Sequence, residues 1–339
     1  MNKRYSRQTL FMPIGETGQQ KIATKHVLII GVGALGTGNA ESLARAGVGR
    51  ITIVDRDYVE WSNLQRQQLY VEEDARKQMP KAIAAKERLQ QINSEVEINA
   101  HILDVTPDDL EQLIIDVDLI LDATDNFDIR MMLNDISQKH DIPWIYGSCV
   151  GSYGISFTII PNVTPCLHCL MESVPIGVLT CDTAGIISPA VGMVIVHQTT
   201  EALKILVEDW DACRRKLISF DLWTNQQSLI DVTSMKKESC TSCGKEPTYP
   251  FLSFENQTRI AVLCGRDTVQ IRPPKTEKRD LQQLAKVLSN NGRKVELNCF
   301  LLSVTIDQQR MVMFQDGRTL VHGTNNIAKA KTLYHRYFG

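Results

Sequence analysis

Short apolar runs alternate with helical stretches from the start of the chain. The run Val27–Ile30 leads into a glycine-rich turn and then an alanine-rich stretch that ends at Ala46, before Gly47. A second apolar run, Ile51–Val54, ends at Asp55. A strand, a helix and a second strand within about thirty residues form a βαβ unit, whose two strands are parallel. The pattern therefore predicts a parallel sheet at the beginning of the chain.

The same alternation continues to Gly147. Its predicted elements are helices over 81–91, 108–115 and 129–140 and strands over 96–102, 119–121 and 144–146, and a later helix is predicted over 190–207. A further apolar run at 155–160 predicts antiparallel strands at the edge of the sheet. We therefore predict an α/β fold with a doubly wound, mostly parallel, Rossmann-like sheet and antiparallel edge strands.

The last ninety residues have a different pattern. Strands are predicted near 259–263 and 268–271, a helix over 279–288, a hairpin turn at Asp316-Gly317 and a final helix from Thr324. This part has a net charge near +7, whereas residues 1–249 have a net charge near −9. We predict two domains, residues 1–248 and a small basic α+β module of unassigned role over 249–339.

Composition excludes several classes of protein. With 43% apolar and 22% charged residues, the chain is neither disordered nor a small disulfide scaffold. A net charge of −2 does not favour nucleic-acid or membrane-surface binding. No run of eighteen apolar residues and no apolar signal segment is present, so we expect a cytoplasmic protein without a membrane partner. In that reducing compartment the nine cysteines are expected to be thiols or metal ligands.

The glycine-rich turn, Gly31-Val32-Gly33-Ala34-Leu35-Gly36, follows a predicted strand and opens a predicted helix. Such a loop lets the backbone and the first N–H groups of the helix approach phosphate groups closely. Asp55 stands at the spacing of a carboxylate that binds ribose hydroxyls. The motif predicts nucleotide binding and leaves NAD, FAD and ATP open; the alternative is a set of structural tight turns.

Polar residues follow the ends of the predicted strands. They comprise the segment Ser62 to Gln67, then Lys81, and the carboxylates Asp122 and Asp125. Cations that offset charge on phosphate oxygens and a carboxylate that holds Mg²⁺ suit phosphoryl or nucleotidyl transfer. The alternatives are solvated surface charges for Arg66 and Lys81, and helix capping for either aspartate.

Nine cysteines include two C-x-x-C pairs, Cys166 with Cys169 and Cys240 with Cys243. Four thiolates in two such pairs suit a structural tetrahedral Zn²⁺ site, and a redox dithiol is the alternative. Cys181 lies in a small, polar segment before a predicted helix, so it is either a nucleophile of lowered pKa or an inert packed thiol.

Together these motifs resemble the ThiF/MoeB/HesA family, which activates ubiquitin-like sulfur carriers and is related to ubiquitin-activating enzymes. The resemblance covers residues 3–246. The segments that show it are Arg4-Tyr5-Ser6-Arg7-Gln8, the Gly31–Gly36 loop, Val54-Asp55, Ser62 to Gln67, Pro80-Lys81, Asp122 to Asn126 and the two cysteine pairs.

The resemblance implies a homodimer that binds Mg²⁺ and ATP and adenylylates the C-terminal Gly-Gly carboxylate of a carrier, with release of pyrophosphate. By analogy, Asp55 holds the ribose, Asn63 and Arg66 contact phosphates, Lys81 neutralises charge and Asp125 positions Mg²⁺. Arg7 resembles an arginine donated to the neighbouring subunit, and Cys181 a cysteine that joins the carrier in some relatives. The other nucleotide-binding residues implied are Gly31, Gly33, Ala34, Gly36, Asp57 and Asn126.

The resemblance is closest to the thiamin branch, whose carrier is ThiS-like, and the molybdopterin branch with its MoaD-like carrier stays open. No C-terminal rhodanese domain is recognisable, so a separate sulfur-donating protein is expected. Two alternatives are an NAD-dependent oxidoreductase and a zinc-stabilised nucleotide-binding scaffold without turnover.

Overall fold

The computed structural model describes residues 3–171, 184–253, 260–263, 267–273, 279–290, 292–306 and 308–338. The chain divides into two compact units, and among the described residues the first extends to 253 and the second begins at 260. Each unit is described by itself. Cys181 lies outside the described residues, and the domain boundary after residue 248 stays a prediction.

The first unit contains the sheet predicted from the apolar pattern. Its strands are β1 (His26–Ile30), β2 (Arg50–Asp55), β3 (Glu97–Ile102), β4 (Leu119–Asp122), β5 (Trp144–Val150), β6 (Tyr153–Ile159), β7 (Leu217–Asp221) and β8 (Gln226–Ile230). Its helices are α1 (Ser6–Thr9), α2 (Gly15–Ile22), α3 (Ala34–Ala46), α4 (Glu72–Arg76), α5 (Lys81–Ile92), α6 (Pro107–Leu113), α7 (Phe127–Lys139), α8 (Leu167–Met171) and α9 (Ser188–Leu206).

The strand order is β3-β2-β1-β4-β5-β6-β7-β8. Strands β1 to β5 are parallel to their neighbours, and β6, β7 and β8 add in antiparallel fashion. Because the chain adds β2 on one side of β1 and β4 on the other, the order reverses at β1, as in doubly wound sheets. The predicted fold class is confirmed.

Two layers of side chains cover the sheet. On β1, Val27 and Ile29 pack into one apolar cluster, and Leu28 and Ile30 pack into a second cluster on the opposite face. Every side chain of this strand is buried, which is why its sequence is a continuous apolar run rather than an alternating one. Strand β8, by contrast, is exposed along its whole length, and its polar sequence gave no signal of a strand.

The second unit is a six-stranded antiparallel sheet with two helices. The strand order is β11-β12-β13-β14-β10-β9. Its elements are β9 (Ile260–Leu263), β10 (Thr268–Ile271), α10 (Leu281–Asn290), β11 (Val295–Leu297), β12 (Leu301–Ile306), β13 (Gln309–Phe314), β14 (Thr319–His322) and α11 (Ile327–Tyr337). The predicted hairpin at Asp316-Gly317 joins β13 to β14, and α11 begins later than predicted because Asn326, not Thr324, caps it.

No helix in the described parts of the chain is long and apolar enough to cross a membrane.

The glycine loop between β1 and α3 packs without space for side chains at two positions. Gly31 has φ of +90°, and a Cβ there would lie 2.5 Å from the Ala123 carbonyl oxygen. A Cβ on Gly36 would overlap the carbonyl oxygen of Gly31 itself. The first turn of α3 is thereby pressed against its own loop and against the end of β4.

The variant Gly36→Ala should destabilise the protein by about 1–3 kcal/mol, because the new methyl group meets backbone rather than a movable side chain. Gly192→Ala is the matched control, since Gly192 is also helical but exposed, with nothing within 4 Å of an added Cβ. This control should gain about 0.5–1 kcal/mol from helix propensity. Thermal or urea unfolding measures both, and equal stability of the two variants would contradict the packing described above.

Candidate active site

Three loops meet at the carboxyl edge of the parallel strands. Asp55 is the last residue of β2, and its carboxylate accepts hydrogen bonds from the Val32 N–H (2.6 Å) in the glycine loop and from the Asp57 N–H (2.7 Å). Ala123, which follows β4, donates its N–H to the Ile30 carbonyl at 2.9 Å. Burial raises the pKa of Asp55, while the positive charge of Lys81 opposes that rise. The glycine loop and the predicted ribose-binding carboxylate therefore form one hydrogen-bonded unit at the switch point of the sheet, where such folds bind ligands.

Lys81 is buried at the first position of α5, with only 4% of its side chain exposed. Its Nζ lies 3.6 Å from Asp57 Oδ2, and its N–H donates to the Asp57 carbonyl at 2.9 Å. An ammonium group removed from water needs a nearby opposite charge, and Asp57 supplies it. Asp57 was assigned to the nucleotide by resemblance; in the structure it is the partner that holds Lys81.

Tyr70 joins the two phosphate-binding candidates and was missed in the sequence. Its buried hydroxyl lies 2.6 Å from the Val32 carbonyl oxygen and 3.2 Å from that of Lys81. The glycine loop and the start of α5 are therefore tied through one side chain. No motif signals this role, because it depends on two segments that are distant from Tyr70 in the sequence.

The segment that contains Asn63 and Arg66 begins with a 3₁₀ turn, Trp61–Asn63. Asn63 is buried, and its Oδ1 accepts the Glu60 N–H at 3.0 Å, so that oxygen stabilises the turn. Arg66 is half-buried, and its guanidinium donates to the Ser62 carbonyl at 2.9 Å. The turn thus holds the arginine head group near the segment's own backbone.

A buried ion pair shapes the loop after β4. One oxygen of Asp122 accepts the N–H (2.9 Å) and the hydroxyl (2.8 Å) of Thr124, and the other accepts Arg130 Nε at 3.0 Å. Arg130 also donates to the carbonyls of Thr124 (2.6 Å) and Gly147 (3.3 Å). Burial raises the pKa of Asp122, and the neighbouring Arg130 charge opposes it. The pair therefore fixes the loop that ends in Asp125.

The alternative interpretation was that Asp122 or Asp125 caps the next helix, and the structure shows a different residue in that position. Asn126 caps α7, with its Oδ1 accepting the N–H groups of Asp128 (2.8 Å) and Ile129 (3.3 Å). Asn126, a residue that the resemblance assigns to the nucleotide, therefore has its side-chain oxygen engaged in the cap. Asp125 is exposed, and its charge contributes to the raised pKa of Arg56 and of Arg130.

Arg7 lies away from the glycine loop of its own chain. It is exposed on α1, and the adjacent Gln8 donates to the Ala46 carbonyl (3.0 Å) at the C-terminal end of α3. The glycine loop is at the other end of this thirteen-residue helix, roughly 18 Å away at 1.5 Å per residue. Arg7 and the site of its own subunit are not brought together.

The two cysteine pairs form one cluster, as the spacing predicted. The sulfurs of Cys166 and Cys240 are 3.7 Å apart, those of Cys169 and Cys243 are 3.6 Å apart, and all four lie within 4.8 Å of one another. A tetrahedral Zn²⁺ with bonds of about 2.3 Å would place its sulfur ligands roughly 3.8 Å apart. The four side chains therefore have the geometry of a closed metal site.

Helix α7 contacts both halves of this cluster. Asn134 Oδ1 accepts the Leu167 N–H at 2.7 Å, between the cysteines of the first pair, and Asp135 is hydrogen-bonded to the side chain of Ser242, between the cysteines of the second pair. His168, between the cysteines of the first pair, is half-buried against the ring of Phe251, and its Nδ1 lies 3.2 Å from Ser242 Oγ. The segments between the cysteines are thus part of the packed structure.

The fold and the site define a Rossmann-like nucleotide-binding protein with a four-cysteine cluster. Residues 5–243 match the model of the ThiF family, and the chain belongs to that family.

The chain is 55% identical over 339 residues, the whole of both proteins, to a sulfur carrier protein ThiS adenylyltransferase of Bacillus subtilis. It is also 33% identical over 243 residues to a molybdopterin-synthase adenylyltransferase of Escherichia coli. This match covers 71% of this chain and 96% of that protein. The fold resembles that of E. coli MccB, solved with ATP, at a TM-score of 0.61 and 22% identity over 72% of this chain and 75% of that one.

The cysteine cluster predicts a metal content of one ion per chain. Cys240→Ser should lose the ion and lower the melting temperature, because three thiolates no longer close the coordination shell. Cys213→Ser, which changes a buried cysteine outside the cluster, should keep the ion. Elemental analysis of purified protein measures this, and equal metal content in the two variants would disprove the assignment.

Proposed function

We propose that this protein adenylylates the C-terminal carboxylate of a ThiS-like, ubiquitin-like sulfur carrier with ATP, giving an acyl-adenylate and pyrophosphate. The observation that supports it most is the 55% identity to a ThiS adenylyltransferase over the full length of both chains. The arrangement of the glycine loop, Asp55 and the buried Lys81 at one sheet edge is consistent with this chemistry.

The reaction needs positive charge near the phosphates. A carboxylate attacks the α-phosphorus, so two negatively charged groups approach each other, and preorganised cations stabilise the transition state. Lys81, held by Asp57, and Arg66, held by the 61–63 turn, are the groups proposed for this task. A bound Mg²⁺ would add charge on the phosphate oxygens, and Asp125 is the residue proposed to hold it.

The backbone supplies the rest of the nucleotide site. Helix α3 begins at Ala34 without a side-chain cap, so the N–H groups of its first turn are the donors proposed for a phosphate of the nucleotide. Asp55 retains acceptor positions beyond the two N–H groups that it already binds, which suits ribose hydroxyls. Gly33 and Gly36 have no side chain, which suits the close approach of phosphate to the backbone that this proposal requires.

Zn²⁺ is the proposed occupant of the cysteine cluster. Four sulfur ligands leave no open coordination position, so the ion would be structural and would bind residues 166–169 to residues 240–243. In this proposal the metal contributes to folding and takes no part in adenylylation.

A MoaD-like carrier is the second candidate substrate. The E. coli molybdopterin-synthase adenylyltransferase is similar over 71% of this chain. The Bacillus relative covers the second unit as well, and for that reason the ThiS-like carrier is favoured. A separate sulfur-donating protein completes the proposed pathway, and the role of Cys181 in sulfur transfer stays a prediction.

Exchange of labelled pyrophosphate into ATP tests the function. Exchange should require Mg²⁺ and a ThiS-like carrier with its intact Gly-Gly tail, because only the carboxylate of that tail forms the adenylate. Arg66→Ala should lower the exchange rate by about 10²–10³-fold. Arg45→Ala, at an exposed arginine paired with Glu41, should leave it unchanged. Exchange with a MoaD-like carrier alone would support the second candidate, and exchange with neither would refute the proposal.

We also propose a homodimer in which Arg7 acts at the neighbouring subunit's nucleotide, because it lies far from its own. Co-expression of Arg7→Ala and Arg66→Ala subunits with different tags allows the mixed dimer to be purified. One of its two sites then has both arginines, so about half of the wild-type exchange rate is expected, although each variant alone is impaired. An inactive mixed dimer would show that Arg7 acts within its own chain, and full activity of the Arg7→Ala homodimer would show that Arg7 has no role in the reaction.

A further inference from the structure

Gln67 is a buried residue of the site with no role in the assignment above. Only 3% of it is exposed, and its Oε1 atom is buried with no hydrogen-bond partner. Its backbone is engaged normally, with the N–H donating to the Asn63 carbonyl (3.0 Å) and the carbonyl accepting the Tyr70 N–H (3.2 Å). The backbone therefore fixes the side chain's position, while the carboxamide oxygen is left unsatisfied.

The carboxamide is directed towards the start of α3. Its Nε2 lies 3.8 Å from the place where a Cβ on Gly33 would lie. Gly33 is the N-cap residue of α3 and provides no side-chain cap. Tyr70, three residues after Gln67, contacts the carbonyl of Val32 in the same loop. The segment thus crosses the glycine loop and places the amide of Gln67 beside the uncapped helix terminus.

An apolar side chain would cost less at this position. The neighbouring Leu69 and Tyr70 belong to the apolar cluster on this face of the sheet. A buried polar atom without a partner costs about 1–3 kcal/mol, and such atoms in native proteins are commonly found where a ligand completes the hydrogen bonds. The N-terminus of a thirteen-residue helix attracts anions, and the amide N–H groups are donors of the kind that anions accept.

We propose that Gln67 contacts the phosphate chain of the bound nucleotide, with Nε2 donating to a phosphate oxygen. Oε1 then accepts from the water that hydrates the phosphates and their metal ion. This inference rests on the proposed function, because it takes ATP to be the ligand. Gln67 would add a neutral donor to the charged groups Arg66 and Lys81, on the side of the site formed by α3.

Gln67→Met tests this assignment, since it keeps the volume and removes the amide. Calorimetric titration with Mg·ATP, without carrier, should show a Kd at least about 10-fold weaker than that of the wild type. The melting temperature without nucleotide should be unchanged or higher, because an unsatisfied buried amide is removed. A purely structural role predicts the opposite pattern, namely a lower melting temperature and an unchanged Kd, and that result would overturn the inference.

Two further variants sharpen the comparison. Gln67→Glu should bind Mg·ATP more weakly than Gln67→Met, because a carboxylate repels phosphate. Gln68→Met is the matched control, since Gln68 is exposed and its amide is bonded to Glu41 at 2.8 Å; its Kd should equal the wild-type value. Wild-type protein that fails to bind Mg·ATP would refute the proposed function together with this inference. Wild-type binding with an equal Kd for Gln67→Met would refute the inference alone.

Discussion

The carboxylate of Asp55 joins the end of β2 to the glycine loop, and the geometry of the site depends on that contact. By accepting the N–H groups of Val32 and Asp57, it links the loop before α3 to the segment that leads to Lys81. Asp57 in turn holds the Lys81 ammonium, and Tyr70 contacts both Val32 and Lys81. A phosphate at the α3 terminus would therefore meet groups that are already fixed relative to one another, as electrostatic preorganisation requires.

The loops at this edge of the sheet contain buried polar groups whose burial is unfavourable. Asp122 and Arg130 are removed from water, and this burial raises the pKa of Asp122. The cost of burying the two charges is offset by their mutual attraction and by their hydrogen bonds to Thr124 and Gly147. Gln67 has a buried oxygen without a partner. Apolar side chains at these positions would give a more stable fold. The fixed polar groups of the site therefore lower the free energy of unfolding.

The cysteine cluster joins two distant segments of the chain. Its two halves are separated by about seventy residues, and the entropy of ordering such a segment opposes their association. Metal–sulfur bonds would offset that entropy, while Asn134 and Asp135 of α7 bind Leu167 and Ser242, which lie between the cysteines of the two pairs. The cluster and the nucleotide loops are thus stabilised by separate interactions, and loss of the metal should act first on folding.

The amino-acid sequence determined the parallel sheet, the glycine loop and the four cysteine ligands, because each depends on local periodicity or on short spacing. Strand β8 was not predicted from the sequence, because an exposed polar strand is defined only by its pairing with β7. The family resemblance assigned Asp57 and Asn126 to the nucleotide, and the fold adds that Asp57 lies beside the Lys81 ammonium and that Asn126 caps α7. The contacts of Tyr70, Arg130 and Gln67 were established only by the tertiary structure. Each of these residues contacts backbone groups or charges of other segments. The pattern within one segment does not predict which other segments lie next to it in the fold.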